Sequence, residues 1–221
     1  MHLLFDLDGT LTDSRPGIIT SIRHALSEVG LDAPDDLLWC IGPPILDSFA
    51  KLTESAPHLF EAAVGSYRQR YGEIGLFENS VYPDIETALA DLRALGHTLH
   101  VATSKATVYA RPIIEHFGLA GYFQSVNGSE LDGTRARKAD LIAHILQQES
   151  IPAGEAVMIG DREHDMIGAA ANGIPGVGAL WGYGSGKELM ASGAAACVRV
   201  PRLLVETMET RFSDEAETAG A

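Results

Sequence analysis

Strand signals alternate with helix signals along most of the chain, and this alternation limits the folds that it can adopt. Short apolar runs predict strands at 2–5, 98–102, 156–159 and 176–180. Apolar residues at helical spacing predict helices over 85–95, 108–117, a segment that opens at Lys138, and 165–172. Such alternation is typical of a parallel sheet with helices on both faces. We therefore expect an α/β fold with a Rossmann-like, doubly wound parallel sheet.

Two of the predicted strands end in acidic residues. The first apolar run leads into Asp6 and Asp8, and the run at 156–159 leads into Asp161 and Asp165. Alternation along an extended chain points Asp6 and Asp8 the same way, and residues four apart share a face of a helix. Open α/β sheets bind ligands at the carboxyl ends of their strands. The pattern predicts a site there, although an acidic turn or an acid-rich helix start would contain the same residues.

The closely spaced carboxylates have a consequence for metal binding. Asp6 and Asp8 repel each other unless a divalent cation or a shared proton compensates their charge. A hard cation with oxygen ligands is the usual partner, so the sequence implies Mg2+. Gly9 permits a sharp turn in which the amides of Leu7 and Asp8 can face an anion, and the Thr10 hydroxyl can hold that turn.

Two further segments contain residues that could bind phosphate. The strand at 98–102 leads into Thr103 and Ser104, and hydroxyls beside free helix amides suit a phosphate oxygen. Thr103 could equally be a helix N-cap. Lys138 opens a predicted helix, where a cation opposes the helix dipole, and this conflict favours a functional role. A basic surface loop is the alternative.

Composition limits the class of partner. The chain has 221 residues, 46% of them hydrophobic, and a formal net charge of -14. That charge argues against nucleic-acid polymers and anionic membranes, because both are polyanions. Cys40 and Cys197 lack a metal-ligand or redox spacing, and the sequence contains neither a signal-peptide pattern nor a transmembrane run. We expect a cytoplasmic enzyme, and the sequence leaves its oligomeric state open.

The alternation is interrupted between residues 15 and 80, where helical patterns occur at 35–40, 45–52 and 61–71 without a convincing strand. We predict an α/β core formed by 1–14 and 81–212, with a small α-helical segment inserted at 15–80. Residues 213–221 are small, polar and acidic, and we predict a disordered tail there.

The acidic, hydroxyl and lysine segments resemble, in this order, the motifs of the haloacid dehalogenase superfamily, specifically its Mg2+-dependent phosphatases. The segments are Asp6-Leu7-Asp8-Gly9-Thr10, Thr103-Ser104, Lys138, and Gly160-Asp161 with Asp165. Among the phosphatases, the chain is similar to phosphoglycolate-phosphatase-like enzymes and to bacterial 5'-nucleotidases. The resemblance implies a phosphomonoesterase for a small phosphorylated metabolite, either phosphoglycolate-like or a nucleoside 5'-monophosphate.

The resemblance also implies a role for each motif residue. Asp6 is expected to attack phosphorus and give an aspartyl-phosphate, while Asp8 exchanges protons with the leaving group and the attacking water. The implied metal ligands are Asp6, the Asp8 carbonyl and Asp161, and the implied supporting residues behind the metal are Asp165 and Glu163. The implied phosphate-binding residues are Thr103, Ser104, Lys138, Gly9 and Thr10.

Other chemistries of the superfamily have to be weighed. Its dehalogenases lack the second aspartate, which is Asp8 here, whereas its phosphomutases keep both; a phosphate-binding module without turnover is a third possibility. Arg162 and His164 stand where many phosphoglycolate phosphatases carry other residues. The resemblance also implies that the inserted helical segment at 15–80 is a cap over a catalytic core of 1–14 and 81–212. In this cap, Gly42, Pro43 and Pro44 are expected to form a stiff loop near the substrate, although a plain rigid turn is the alternative.

Overall fold

The computed structural model describes residues 1–212, so the predicted tail at 213–221 lies outside the described residues. A six-stranded parallel sheet forms its centre, with the strand order β3-β2-β1-β4-β5-β6. The strands are β1 (His2–Phe5), β2 (Thr98–Ala106), β3 (Ser125–Ser129), β4 (Ala156–Gly160), β5 (Gly176–Ala179) and β6 (Ala196–Val198). This sheet confirms the predicted α/β fold.

The first strand lies in the middle of the sheet. Phe5 is in register with Val101 of β2 and with Ile159 of β4. The Asp6 amide then donates to the Ile159 carbonyl at 2.9 Å, so the pairing continues one residue past β1. This register brings the residues that follow β1 and β4 together at one edge of the sheet, where the strand order reverses.

Helices cover both faces of the sheet. On one face, Leu3 and Phe5 share a core cluster with α4 (Ile85–Ala94), α5 (Thr107–His116) and α9 (Leu204–Phe212). On the other face, Leu4 packs with α6 (Lys138–Gln148) and α7 (Glu163–Ala171). A short helix, α8 (Gly186–Ala191), lies beside β5 and β6. Successive residues of β1 thus enter opposite layers, as expected for an extended strand.

Helices also fill the segment between β1 and α4. They are α1 (Arg15–Glu28), α2 (Ile45–Leu52) and α3 (Phe60–Arg70), and α3 continues into a π turn at Tyr71–Gly75. The helix predicted at 35–40 is reduced to a 3₁₀ turn at Leu38–Cys40. The reason is local, because the Asp36 carboxylate accepts the Leu38 amide and Leu37 has a non-helical backbone.

Two strands and one strand extension differ from the sequence prediction. β3 and β6 were not predicted, since β3 has one large apolar residue, Val126, and β6 has three residues. β2 continues to Ala106 rather than ending before Thr103. Thr103 therefore lies on an extended strand, and Ala106 is the residue that precedes α5, so Thr103 is not a helix N-cap.

A search of residues 1–212 for membrane spans finds no helix that is both long and apolar enough to cross a bilayer.

Candidate active site

The chain turns sharply after β1. Asp6 and Asp8 are 3% and 7% exposed, and the amide of Leu7 donates to Asp6 Oδ1 at 2.7 Å. The Leu7 amide therefore faces the carboxylate of Asp6, not an incoming anion as the sequence suggested. Gly9 has φ +85°, and a Cβ there would lie 2.2 Å from Asp161 Oδ2. Glycine at this position lets the two acidic loops approach each other.

Asp6, Asp161 and Asp165 form a buried cluster, in which one carboxylate oxygen of each lies within 4.8 Å of the others. Gly160 makes room for it, because a Cβ there would lie 2.2 Å from Asp165 Cγ. Asp165 was expected to support the metal indirectly. In the structure, its carboxylate belongs to the same cluster as those of Asp6 and Asp161. Glu163 is not part of the cluster; its amide donates to Glu188 Oε1 at 3.0 Å.

Lys138 is the cation of this cluster. Its Nζ lies 2.8 Å from Asp6 Oδ1 and 2.6 Å from Asp165 Oδ1, and it donates to the Ala102 carbonyl at 2.7 Å. The Lys138 side chain is 2% exposed. Burial by itself would lower the pKa of Lys138, but the charges of Asp165 and Asp6 outweigh it and raise that pKa. Lys138 is therefore a buried ion-pair partner and not part of a basic surface loop.

One lysine does not balance three carboxylates. Burial, and then the charges of Asp165 and Asp6, raise the pKa of Asp161 well above the usual range of an aspartate. Burial also raises the pKa of Asp165, to about 6. An excess of buried negative charge with oxygen donors fits a hard divalent cation such as Mg2+. The residues present thus suit the metal that the sequence implied.

Asp8 has a different partner. Its carboxylate is outside the three-acid cluster, and Oδ1 lies 3.0 Å from Lys105 Nζ. The Lys105 ammonium also contacts the Tyr71 hydroxyl and lies 4.6 Å from the centre of that ring. No role was predicted for Lys105 from the sequence. The predicted strand ended before Thr103, so the sequence contained no signal for the direction of the Lys105 side chain.

The hydroxyl residues divide between the cavity and the turn. Thr103 and Ser104 line the cavity described below, and Thr103 Oγ1 accepts the Lys105 amide at 3.3 Å. Thr10 is fully buried, and its hydroxyl donates to Asp161 Oδ1 at 3.3 Å. Thr10 thus joins the two acidic loops, whereas Thr103 and Ser104 are placed to meet a ligand.

A glycine-rich loop after β5 supports the acidic residues from behind. The Trp181 indole donates to the Thr10 carbonyl at 2.9 Å, and the Tyr183 amide donates to Asp161 Oδ2 at 2.8 Å. A Cβ on Gly182 would lie 2.3 Å from Asp161 Cβ. The bond to Asp161 comes from the main-chain amide of Tyr183, which does not depend on residue type, so it could not be predicted from the sequence.

A cavity of about 310 Å³ opens above Asp6 and Asp8. It lies between the sheet edge and the helical segment, and its wall is partly apolar. The residues that line it from the helical segment include Gly42, Pro43, Pro44, Ile45, Leu46, Tyr67, Arg68 and Tyr71. The loop between β3 and α6 closes the remaining side with Glu130, Leu131, Asp132, Gly133, Ala136 and Arg137. The predicted Gly42-Pro43-Pro44 loop therefore does line the cavity.

Comparison with known proteins agrees with this arrangement. A 5'-nucleotidase of Pseudomonas aeruginosa is 46% identical over 192 residues, which cover 86% of this chain and 87% of that protein. The tyrosine-protein kinase PtkA of Mycobacterium tuberculosis is 45% identical over 186 residues, which cover 82% of this chain and 62% of PtkA.

A solved structure and a family model extend the agreement. The crystal structure of a predicted phosphatase from Clostridium acetobutylicum has a TM-score of 0.89 and 40% identity, and the match covers 94% of this chain and 97% of that one. Residues 3–179 match the model of the haloacid dehalogenase-like hydrolases, a span that contains every motif residue discussed above. The chain belongs to that family.

Proposed function

We propose that this chain is a Mg2+-dependent phosphomonoesterase that acts on a small phosphorylated metabolite through an aspartyl-phosphate. The observation that carries the proposal is the convergence of Asp6, Asp161, Asp165 and Lys138 in one buried cluster, next to a cavity that Asp6 and Asp8 line. Phosphoryl transfer needs a positioned nucleophile, charge neutralisation and a proton donor. These five side chains offer those groups in one place.

The metal ligands in this proposal are the carboxylates of Asp6 and Asp161 and the main-chain carbonyl of Asp8. Asp165 orients the site through its ion pair with Lys138, and Glu163 has at most an indirect role. When bound, the cation would neutralise charge on the nucleophile and on the phosphoryl oxygens. Thr10 and the Tyr183 amide fix the Asp161 carboxylate for this purpose.

Asp6 is the nucleophile of the proposed reaction. Its Oδ1 is held by the Leu7 amide and by Lys138, which leaves Oδ2 for the attack. As the bond from Oδ2 to phosphorus forms, the bond to the leaving oxygen breaks, and Asp8 gives that oxygen a proton. Asp8 then takes a proton from water, which attacks phosphorus and releases phosphate from Asp6.

The phosphoryl oxygens are assigned to Thr103, Ser104 and Lys138. Thr103 and Ser104 line the cavity beside Asp6, and the Lys138 ammonium is already within 2.8 Å of the nucleophile. Gly9 and Thr10 contribute through the shape of the turn, since Gly9 permits it and the Thr10 hydroxyl is bonded to Asp161. Charged donors in a buried site strengthen such contacts.

The leaving group is assigned to the cavity, with residues 15–80 acting as a cap over a core of 1–14 and 81–212. Glycolate has two carbons and would fill a small part of about 310 Å³. A nucleoside matches this volume and its partly apolar wall better, and the 46% identical relative is named 5'-nucleotidase. We therefore favour nucleoside 5'-monophosphates over phosphoglycolate. The proposed partner is a small metabolite, not a nucleic-acid polymer or a membrane surface, and the proposed location is the cytoplasm.

The test is Mg2+-dependent phosphate release from phosphoglycolate, nucleoside 5'-monophosphates, sugar phosphates and an aryl phosphate, with Asp6→Asn as the blank. The ranking of nucleotides against phosphoglycolate decides the substrate class. Release by Asp6→Asn at the wild-type rate would overturn the mechanism. If folded, metal-loaded protein releases no phosphate, a phosphomutase or a binding role becomes the better assignment. Incubation with ATP, followed by phosphotyrosine detection, tests the activity for which PtkA is named.

A further inference from the structure

Arg162 contacts both the catalytic core and the proposed cap. It follows Asp161 directly, and its side chain is 14% exposed. Its Nε lies 2.9 Å from Glu188 Oε1, and its Nη1 donates to the Ile41 carbonyl at 2.5 Å. Ile41 precedes the Gly42-Pro43-Pro44 loop that lines the cavity. One guanidinium therefore joins the loop that holds Asp161 to the loop that faces the leaving group.

The contact includes close packing as well as hydrogen bonds. Gly42 has φ +105°, and a Cβ at this position would lie 2.9 Å from Arg162 Cγ. Residue 42 thus lies directly on the stem of Arg162, and a larger side chain would push the two loops apart. Pro43 and Pro44 follow at once, and their fixed φ angles make the loop stiff. Because the loop is stiff, the contacts that hold Ile41 and Gly42 also fix the positions of Pro43 and Pro44.

The core side of the contact is fixed independently. Glu188 Oε1 accepts the Glu163 amide at 3.0 Å as well as Arg162 Nε, and the Glu188 amide donates to Ser185 Oγ at 3.1 Å. Glu188 therefore lies in the first turn of α8 and is hydrogen-bonded to the first residue of α7. The planar guanidinium offers several donors in fixed directions, so anchoring Nε on Glu188 aims Nη1 at Ile41.

We propose that Arg162 is a positioning residue that ties the cavity-lining loop at 41–44 to the core, and so sets how that loop meets the leaving group. In its kinetic part this inference rests on the proposed phosphatase function. Without the tie, the loop occupies its binding-competent position for a smaller fraction of the time, and apparent affinity falls in proportion. KM should rise more than kcat falls, and more for a nucleotide than for a two-carbon leaving group.

Three variants change the contacts of Arg162 in different ways, and a fourth is the control. Arg162→Met keeps the stem that packs on Gly42 but removes all donors, and Glu188→Gln removes the charge that anchors the guanidinium. Arg162→Lys keeps a positive charge beside Asp161, yet its single nitrogen cannot replace Nε and Nη1 together. The matched control is Arg202→Met, since Arg202 is an exposed arginine of the core.

The first readout is amide hydrogen exchange of the peptide that spans residues 38–48, measured without substrate. Losing a charge-assisted hydrogen bond should speed exchange there by about tenfold in Arg162→Met and Glu188→Gln, and Arg162→Lys should not restore protection. The core peptide that covers β2 at 98–106, and the control variant, should exchange as in the wild type. Because Glu188 acts through Arg162, the double variant should exchange no faster than Arg162→Met.

The second readout is the KM and kcat of each variant, and the two readouts fail separately. Unchanged exchange at 38–48 in both Arg162→Met and Glu188→Gln would overturn the tie, whatever the activity. Faster exchange without any phosphatase activity in the wild type would keep the tie and overturn the proposed function. Wild-type protection in Arg162→Lys would show that charge beside Asp161, not the two-pronged contact, protects the loop, which also overturns the proposal.

Discussion

Lys138 is a single buried residue that connects three parts of the site. It contacts the loop after β1 through Asp6, the start of α7 through Asp165, and β2 through the Ala102 carbonyl. The ion pairs are almost fully desolvated, with side chains 2% and 4% exposed for Lys138 and Asp6. Removing one partner from such a group leaves buried charge without compensation.

We expect Lys138→Met to lower the free energy of unfolding of the metal-free protein by about 3 kcal/mol, because two carboxylates lose their cation. Urea unfolding in EDTA measures this loss. Lys187→Met, at an exposed lysine, is the control and should stay within about 0.5 kcal/mol of the wild type. Equal stability of the two variants would contradict the ion-pair geometry described for Lys138.

Asp161 gives a prediction about pH. In the folded metal-free protein, its raised pKa means that it keeps a proton at a pH where the unfolded chain has lost one. The folded state then binds more protons, so this group makes stability fall as the pH rises above about 4. In EDTA, Asp161→Asn should be more stable than the wild type at pH 7 by about 1 kcal/mol or more, and the difference should shrink toward pH 4.

The control for that measurement is Mg2+ itself. If the proposed metal role is right, Mg2+ should bind the folded wild type and raise its melting temperature by mass action, whereas Asp161→Asn should gain little. The order of stability of the two proteins should therefore reverse when Mg2+ replaces EDTA. If Mg2+ does not change the melting temperature of the wild type, the metal-binding role proposed for Asp161 is wrong.

Lys105 is the residue whose importance the sequence did not reveal. Lys105 contacts both Asp8, the proposed proton donor, and Tyr71 of the helical segment. We expect Lys105→Met to reduce kcat by about 10²-fold through misplacement of Asp8, while the fold is retained. Tyr71→Phe, which keeps the ring and loses only the hydroxyl, should have a smaller effect in the same phosphate-release assay.

At the scale of elements, the π turn at Tyr71–Gly75 decides how the helical segment returns to the core. Arg70 pairs with Glu78 through two contacts of 2.9 and 3.0 Å just before the turn. Gly75 lies against α1, where a Cβ on Gly17 would approach the Gly75 carbonyl to 2.0 Å. The turn thus needs two small residues face to face, and it directs Tyr71 toward Lys105.

A pair of glycine variants tests this packing. Gly75→Ala should lower the free energy of unfolding by about 1–3 kcal/mol, because the new methyl group would meet Ser21 Oγ and Tyr71 Cδ2 at 2.7 Å. Gly65→Ala, inside α3 with open space around it, should instead raise it by about 0.5–1 kcal/mol through helix propensity. Thermal or urea unfolding measures both, and a stabilising Gly75→Ala would contradict the close contact.

The elements also show what local sequence can predict. β1, β4 and β5 were predictable because each is a short apolar run within the sheet. β3 was not, since Ser125–Ser129 is polar apart from Val126 and forms a strand through its pairing with β2. The predicted helix at 35–40 failed because the Asp36 side chain competes for the backbone amide of Leu38.

At the scale of the whole molecule, the site combines residues from distant parts of the chain. Their convergence was predictable because Asp6 and Asp161 follow apolar strands and Thr103 follows the apolar part of β2, and parallel strands end at one edge. Lys105, the Tyr183 amide and Arg162 could not be assigned in that way. Their contacts depend on how the helical segment between β1 and α4 and the loop after β5 lie over that edge, which no local pattern encodes.

The central position of β1 has a consequence for how the protein is made. β1 precedes every other strand along the chain, yet Phe5 must pair with Val101 and Ile159. At ribosomal rates of about 5–20 residues per second, roughly eight to thirty seconds separate the synthesis of Phe5 from that of Ile159. Throughout that interval an apolar strand has at least one unpaired edge, so the nascent chain needs protection from aggregation until its second partner is translated.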